Sequence, residues 1–238
     1  MENRTMKAWV VRELCKPLDM EFAEIPVPEP GPGQVLVRVE AAALNFLDTL
    51  MIQGLYQVKP PLPFTPGVEV AGTIVAPGSG SPFRVGERVL GNVGHGGYAE
   101  YALLDDVNVT RMPDSMTAVE GSTFPVVYPT AYSAMRHSAN IQAGEVVLIH
   151  AGAGGVGLAA IQLAKAWGGT VIATAGGPAK TAICREHGAD YAIDYSNGQW
   201  VDRVKEITAG QGADIIVDPV GGDVTDLSLK CLAWCGRL

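Results

Sequence analysis

Residues 145–176, EVVLIHAGAGGVGLAAIQLAKAWGGTVIATAG, leave this chain few folds to choose from. An apolar run, Val146 to Ile149, stops at a glycine-rich turn. The turn opens into a segment with apolar residues at helical spacing, and a second apolar run, Thr170 to Ala173, follows. Gly152, Gly154 and Gly157 give G-x-G-x-x-G between a predicted strand and a predicted helix, the context that makes this short pattern a dinucleotide-site signal. The first glycine makes the turn, the second lets a pyrophosphate approach the backbone, and the third lets helix and strand pack closely. The N–H groups of Gly155, Val156 and Gly157 then face the anion, aided by the helix dipole. With Ala153, these glycine-turn residues are the expected cofactor contacts. The structural alternative is an ordinary tight turn between strand and helix.

Around this unit the chain changes rhythm once. Before about residue 126, short strands are expected at Met6–Val11, Gln34–Ala43, Val68–Val75, Glu87–Leu90 and Tyr98–Leu104. In Gln34–Ala43, Val35, Val37, Val39 and Ala41 alternate onto one face. Pro/Gly-rich pieces separate these runs, which suggests a barrel-like β domain over 1–126. From Val127 strands and helices alternate: strands at Val146–Ile149, Val171–Thr174, Tyr191–Ile193 and Ile215–Val217, helices at Val156–Trp167, Lys180–His187, Trp200–Thr208 and Thr225–Leu232. That order predicts an α/β unit with a parallel, doubly wound sheet over 127–238. CLAWCGRL closes the chain where a further strand is due, so the sheet is expected to be cut short inside this domain.

Composition narrows the function classes. The chain has 238 residues with 47% hydrophobic, enough to bury two ordinary cores. A net charge of -8 without a Lys/Arg cluster argues against nucleic acid and anionic membrane as partners. No signal-peptide pattern opens the sequence and no apolar run approaches a bilayer span, so a cytoplasmic protein is expected. The four cysteines form no C-x-x-C pair; Cys231 and Cys235 are spaced to share one helical face, as packing residues. His95, His137, His150 and His187 are scattered, and metal chemistry is not expected. His150 reads as a packed, hydrogen-bonded residue and His95 as a solvated loop residue.

The end of the second Rossmann-type strand selects the cofactor. An acidic residue about 20 positions beyond the glycine turn binds a ribose 2′-hydroxyl. Here the stretch is Ala173-Thr174-Ala175-Gly176, with no carboxylate and with Lys180 just beyond. A cation without an anion suits the 2′-phosphate of NADPH, although an exposed helical lysine is the alternative for Lys180. Asp218-Pro219-Val220-Gly221-Gly222 follows the fourth strand, where Gly221 and Gly222 let backbone approach the nicotinamide ribose or simply make a turn.

AAALNFLDTLMIQGLY (41–56), PFTPGVEVAGTIVAPGSG (63–80), GERVLG (86–91), GGYAEYALL (96–104), PTAYSAM (129–135) and AGAGGVGLAAIQLAKAWG (151–168) together resemble the medium-chain dehydrogenase/reductase superfamily. Within it they resemble the zinc-free NADPH:quinone oxidoreductases, the zeta-crystallin-like branch. The resemblance implies a GroES-like β-barrel domain followed by a Rossmann domain, here truncated, and NADPH as cofactor. It sets Asn45 and Val68 where zinc-dependent relatives carry Cys and His, with Glu69 matching an acidic residue of those enzymes. It implies hydride transfer from NADPH to a quinone or another conjugated carbonyl, with Asn45 and Thr130 near the nicotinamide. Tyr56 is a candidate hydrogen-bond or proton donor, and Tyr128 a pocket wall. Tyr195, just after the third strand, matches a position near the adenosine 2′-phosphate, and Gly176, at the end of the second, is a further expected cofactor contact. Structural alternatives stand beside each: Asn45 caps the next helix, Thr130 opens one, Tyr56 packs, and Asp48 is a cap or turn residue.

Two rival functions share these motifs. One is an enoyl reductase of acyl thioesters, for which Lys59 is the only obvious cation near the site entrance. The other is a non-catalytic NADPH-binding protein or inactive fragment. The expected partner is a small molecule, and the full-length protein is expected to be a homodimer, with the state of this chain left open.

Overall fold

The computed structural model describes residues 4–238. The chain divides into two units, one ending at Val126 and one running from Val127 to Leu238. In the first, β1 (Thr5–Val10) and β2 (Glu21–Pro26) form an antiparallel pair. A five-stranded antiparallel sheet follows the order β6-β3-β4-β5-β7, from β3 (Gln34–Ala42), β4 (Glu69–Pro77), β5 (Arg88–Asn92), β6 (Tyr101–Asp105) and β7 (Val109–Arg111). Its core is the predicted inward face of β3: Val35 and Val37 pack with Val70, Ile74, Val89 and Leu104. Pairing of β3 with β4 shifts register twice, and such bulges bend a sheet toward closure. Helix α1 (Phe46–Ile52) sends Met51 and Ile52 into a second cluster with Val11, Phe64 and Val68. A short helix, α2, spans Ala118–Ser122. Strands β2 and β7 escape a reading by period. EFAEIP leaves most side chains half or fully exposed, and β7 has only 3 residues.

In the second unit α3 (Phe124–Tyr132), whose first residues belong to the first unit, continues as a π-helical turn, Ser133–Ser138. Thr130 therefore lies inside a helix already running rather than opening one. Strands β8 (Val146–Ile149), β9 (Thr170–Ala175), β10 (Tyr191–Asp194), β11 (Ala213–Val217) and β12 (Leu232–Arg237) are parallel, in the order β10-β9-β8-β11-β12. Helices α4 (Gly155–Ala166), α5 (Pro178–Glu186), α6 (Trp200–Ile207) and α7 (Asp223–Ser228) fill the connections. The two-residue alternation of strands sorts the sheet into two cores. Val147, Ile149, Val171, Ala173 and Ile215 face one cluster with Ala160, Ala164 and Cys184. Leu148, Ile172, Ile193 and Ile216 face the other with Trp200 and Val204. The sheet is thus doubly wound, as its order of elements predicts.

The C-terminal end corrects one expected boundary. The helix predicted over Thr225–Leu232 stops early, as α7 followed by a 3₁₀ turn, Leu229–Cys231, and the further strand due after it is β12, paired with β11. Cys231 and Cys235 consequently share no helical face. Cys231 is buried in the turn, and Cys235 is exposed in β12 with φ 62°. Pairing with a buried neighbour overrides the weak helical pattern of this segment. Among the described residues no helix is long and apolar enough to cross a membrane.

Candidate functional site

Strand order reverses between β8 and β11, which run side by side. Ligands of open α/β sheets sit at such a switch point, at the strands' carboxyl ends. The glycine turn is there. Helix α4 begins at Gly155, one residue before the predicted start, and Gly154 is its N-cap with φ −85° and ψ 167°. Gly152 N–H donates to Thr174 O at 2.9 Å, Gly154 N–H to Ala151 O at 2.8 Å, and Leu158 N–H to Gly154 O at 2.8 Å. The N–H groups of Gly155, Val156 and Gly157 precede that first helical bond and point out of the helix end.

The three motif glycines answer to different constraints. Gly152 and Gly157 are buried, Gly154 exposed. A Cβ on Gly157 would lie 2.4 Å from Ala151 O and 2.7 Å from Gly152 Cα; on Gly152 it would lie 2.9 Å from Ala173 Cβ. A Cβ on Gly154 meets only Ala151 O, at 3.2 Å. Packing inside the protein therefore demands glycine at 152 and 157. At 154 the backbone is ordinary and the space is open, as a cradle for an approaching pyrophosphate requires.

The ends of β9 and β10 lie side by side. Ala175 closes β9 with no carboxylate after it. Gly176 makes room for the Tyr195 ring: a Cβ there would come within 2.9 Å of the phenolic oxygen. Asp194 Oδ1 accepts the Gly177 N–H at 3.0 Å and is also bound by Ser196, which holds the carboxyl below the usual carboxylate range. Lys180 stands exposed in the first turn of α5. A cavity of about 280 Å³ lies beside them, lined by Ala151, Thr174, Tyr195, Trp200, Val220 and Leu227, among others.

His150 forms a wall of this cavity and is 2% exposed. Ser228 Oγ donates to Val224 O at 2.7 Å, so it accepts from His150 Nε2–H at 2.9 Å. Nδ1 is then the acceptor, taking the Thr174 hydroxyl at 2.8 Å. The ring also meets Trp200 edge-on, with centroids 4.8 Å apart. Burial lowers its pKa from 6.5 to about 4, against a smaller opposing pull from Asp218. This is a locked neutral histidine. The unfolded chain binds the extra proton first, so stability should fall as pH drops from 6.5 towards 4. The loss amounts to about 3 kcal/mol and stops once both states are protonated. Urea unfolding at pH 7 and pH 4.5 checks it: His150→Gln should lose this part of the slope, and an unchanged slope would refute the assignment.

On the opposite face, a cavity of about 370 Å³ brings Thr130 and Val156 together with Val217, Asp218 and Pro219. Asp218 closes the turn after β11. Its Oδ1 accepts the N–H groups of Val220 at 2.9 Å and Gly221 at 3.1 Å, and its Oδ2 accepts the Thr225 hydroxyl. Burial works to raise its pKa, but these hydrogen bonds outweigh it and lower it. Gly222 caps α7 at φ 60° and ψ −135°, a backbone open essentially to glycine. Tyr128 is tied by its hydroxyl to Gln162 of α4.

Asn45 and Tyr56 belong to the first unit. Tyr56 packs against the cluster of Met51, Phe64 and Val68. Asn45 caps α1: the Asp48 carboxylate accepts its backbone N–H at 2.9 Å and the Tyr98 hydroxyl at 2.7 Å. Asn45 Nδ2 donates to Glu69 Oε1 at 2.8 Å. Asp48 and Glu69 are 2% and 1% exposed, and burial raises both pKa values against the hydrogen bonds they accept. Asp48 Oδ1 is buried without a partner among the described residues. Tyr98 is raised by burial and by Asp48. The link from Asn45 to Glu69 is absent from the sequence-based candidates; its one signal is a lone acidic residue heading the apolar run of β4.

Residues 31–114 match the family described as alcohol dehydrogenase GroES-like domain, and residues 155–238 the family described as zinc-binding dehydrogenase. The chain is 40% identical over 238 residues to quinone oxidoreductase-like protein 2 homolog of Nematostella vectensis, covering 99% of this chain and 65% of that protein. Human quinone oxidoreductase is 38% identical over 99% of the chain and 73% of its own length. The chain thus spans about two thirds to three quarters of these relatives. The quinone oxidoreductase of Thermus thermophilus, solved alone and with NADPH, superposes with a TM-score of 0.86 at 37% identity, over 98% of this chain and 72% of that one. Identity of this order, spread over both units, places the chain in the quinone oxidoreductase group of the medium-chain dehydrogenase/reductase superfamily.

Proposed function

We propose that this protein is a cytoplasmic NADPH-dependent reductase that delivers hydride to a quinone or another conjugated carbonyl without a metal ion. The observation that carries this reading is the glycine turn. Three first-turn N–H groups and an open Gly154 lie at the switch point of the sheet, and no carboxylate stands at the end of β9. NADPH, when bound, supplies the hydride. The chain's part is to grip and orient. The N–H groups of residues 155–157 hold the pyrophosphate. Lys180 and the Tyr195 hydroxyl meet the 2′-phosphate, and Gly222 lets the backbone approach the ribose.

On the acceptor side, the Asn45 amide and the Thr130 hydroxyl stabilise the oxygen that gains charge, and Tyr56 donates a proton. An amide at Asn45 and an isopropyl group at Val68 replace the thiolate and imidazole of a zinc site, which supports the metal-free reading. A thioester substrate would call for more cations than Lys59 supplies.

Absorbance at 340 nm with 9,10-phenanthrenequinone as acceptor tests the proposal. Turnover with NADPH, several-fold better than with NADH, is expected. Binding without turnover would leave a nucleotide-binding protein instead. Lys180→Glu should cost NADPH about tenfold in affinity and NADH little, a modest effect because the side chain is exposed and screened. Equal losses for both coenzymes would remove Lys180 from the 2′-phosphate site.

A further inference from the structure

Asn45 is clamped twice. Its backbone N–H is taken by Asp48, itself fixed by the Tyr98 hydroxyl. Its side chain is taken by Glu69, the first residue of β4. Both Glu69 oxygens are committed: Oε1 to Asn45 Nδ2 and Oε2 to the Val126 N–H, each at 2.8 Å. An ionised carboxylate only accepts hydrogen bonds. The Asn45 atom facing it must therefore be the nitrogen, and the amide cannot flip without setting two acceptors against each other. Without such a partner the two orientations of an asparagine amide are nearly equivalent in shape.

We propose that Glu69 is a positioning residue that fixes the polarity of the Asn45 amide, so that its second N–H stays presented to the acceptor carbonyl. This inference rests on the reductase function proposed above. Glutamine at 69 has nearly the same shape but only one accepting atom for two donors. If that atom keeps the Val126 N–H, its NH₂ group faces Asn45, which turns to offer Oδ1. A carbonyl oxygen then replaces the N–H that the acceptor needs.

The test uses Glu69→Gln, alone and with Asn45→Asp. In protein labelled with ¹⁵N-asparagine, the side-chain NH₂ signal missing from the Asn45→Asp single variant identifies Asn45. In Glu69→Gln that signal should move and exchange faster with water. Turnover with 9,10-phenanthrenequinone should lose roughly tenfold or more in kcat, with KM for NADPH within about twofold. In the double variant, a carboxylate at 45 accepts from the glutamine NH₂. Thermal stability should recover from the loss in Glu69→Gln, while kcat stays low.

An unchanged NH₂ signal, a wild-type kcat in Glu69→Gln, or recovered turnover in the double variant would each overturn the proposal. Wild-type protein without quinone turnover would instead remove the reductase reading, and the NH₂ signal would still decide whether Glu69 sets the amide.

Discussion

Gly154→Asp will fold as well as the wild type and will fail to bind a nicotinamide dinucleotide. Position 154 has the extended backbone of a helix N-cap, φ −85° and ψ 167°, which any residue adopts. Aspartate is among the preferred N-cap residues, because its carboxylate accepts the free N–H groups of the first turn. The added Cβ needs only a small movement from Ala151 O, 3.2 Å away. The same carboxylate occupies the donors proposed to hold the pyrophosphate and sets charge against charge. The expected loss of NADPH affinity is roughly 100-fold or more, about 3 kcal/mol. Calorimetric titration with NADPH, beside a thermal melt, checks both halves. A variant that melts normally and still binds NADPH would dismiss the turn as the cofactor site.

Gly157→Ala reverses the pattern: a failure of folding rather than of recognition. A single methyl group at 157 collides with Ala151 O at 2.4 Å and with Gly152 at 2.7 Å. Both are backbone atoms, so no side-chain rotation relieves the overlap. The turn must open or α4 must move off β8, where Ala160 and Ala164 are fully buried. Overpacking against rigid backbone costs about 3 kcal/mol. That corresponds to a fall of roughly 10–15 °C in the melting temperature of a unit of this size. Differential scanning calorimetry of the apoprotein reads the effect without any ligand. An unchanged melting temperature would mean that the helix and strand are not packed as described. Two glycines three residues apart thus separate binding from stability by experiment.

Much of this was legible in the residues. The alternation of Val35 and Val37 places them in the core of the antiparallel sheet. Gly152 and Gly157 of the glycine pattern are buried where helix and strand pack closely. His150 is packed and hydrogen-bonded. Other features were not. EFAEIP carries a weak period and becomes a strand because a neighbouring strand offers its hydrogen-bonding edge. Thr130 sits within a helix that Pro129 interrupts in sequence but not in space.

The amino-acid order alone determined the glycine-rich turn between β8 and α4, the parallel alternation of the second unit and the missing carboxylate after β9. Each depends on residues near one another in the chain, where backbone geometry and side-chain period act directly. The tertiary structure alone decided which distant groups meet: Glu69 with Asn45, Tyr195 over Gly176, and Ser228 with His150. Those meetings are set by sheet register and by how elements far apart in the chain pack, and no local pattern encodes either.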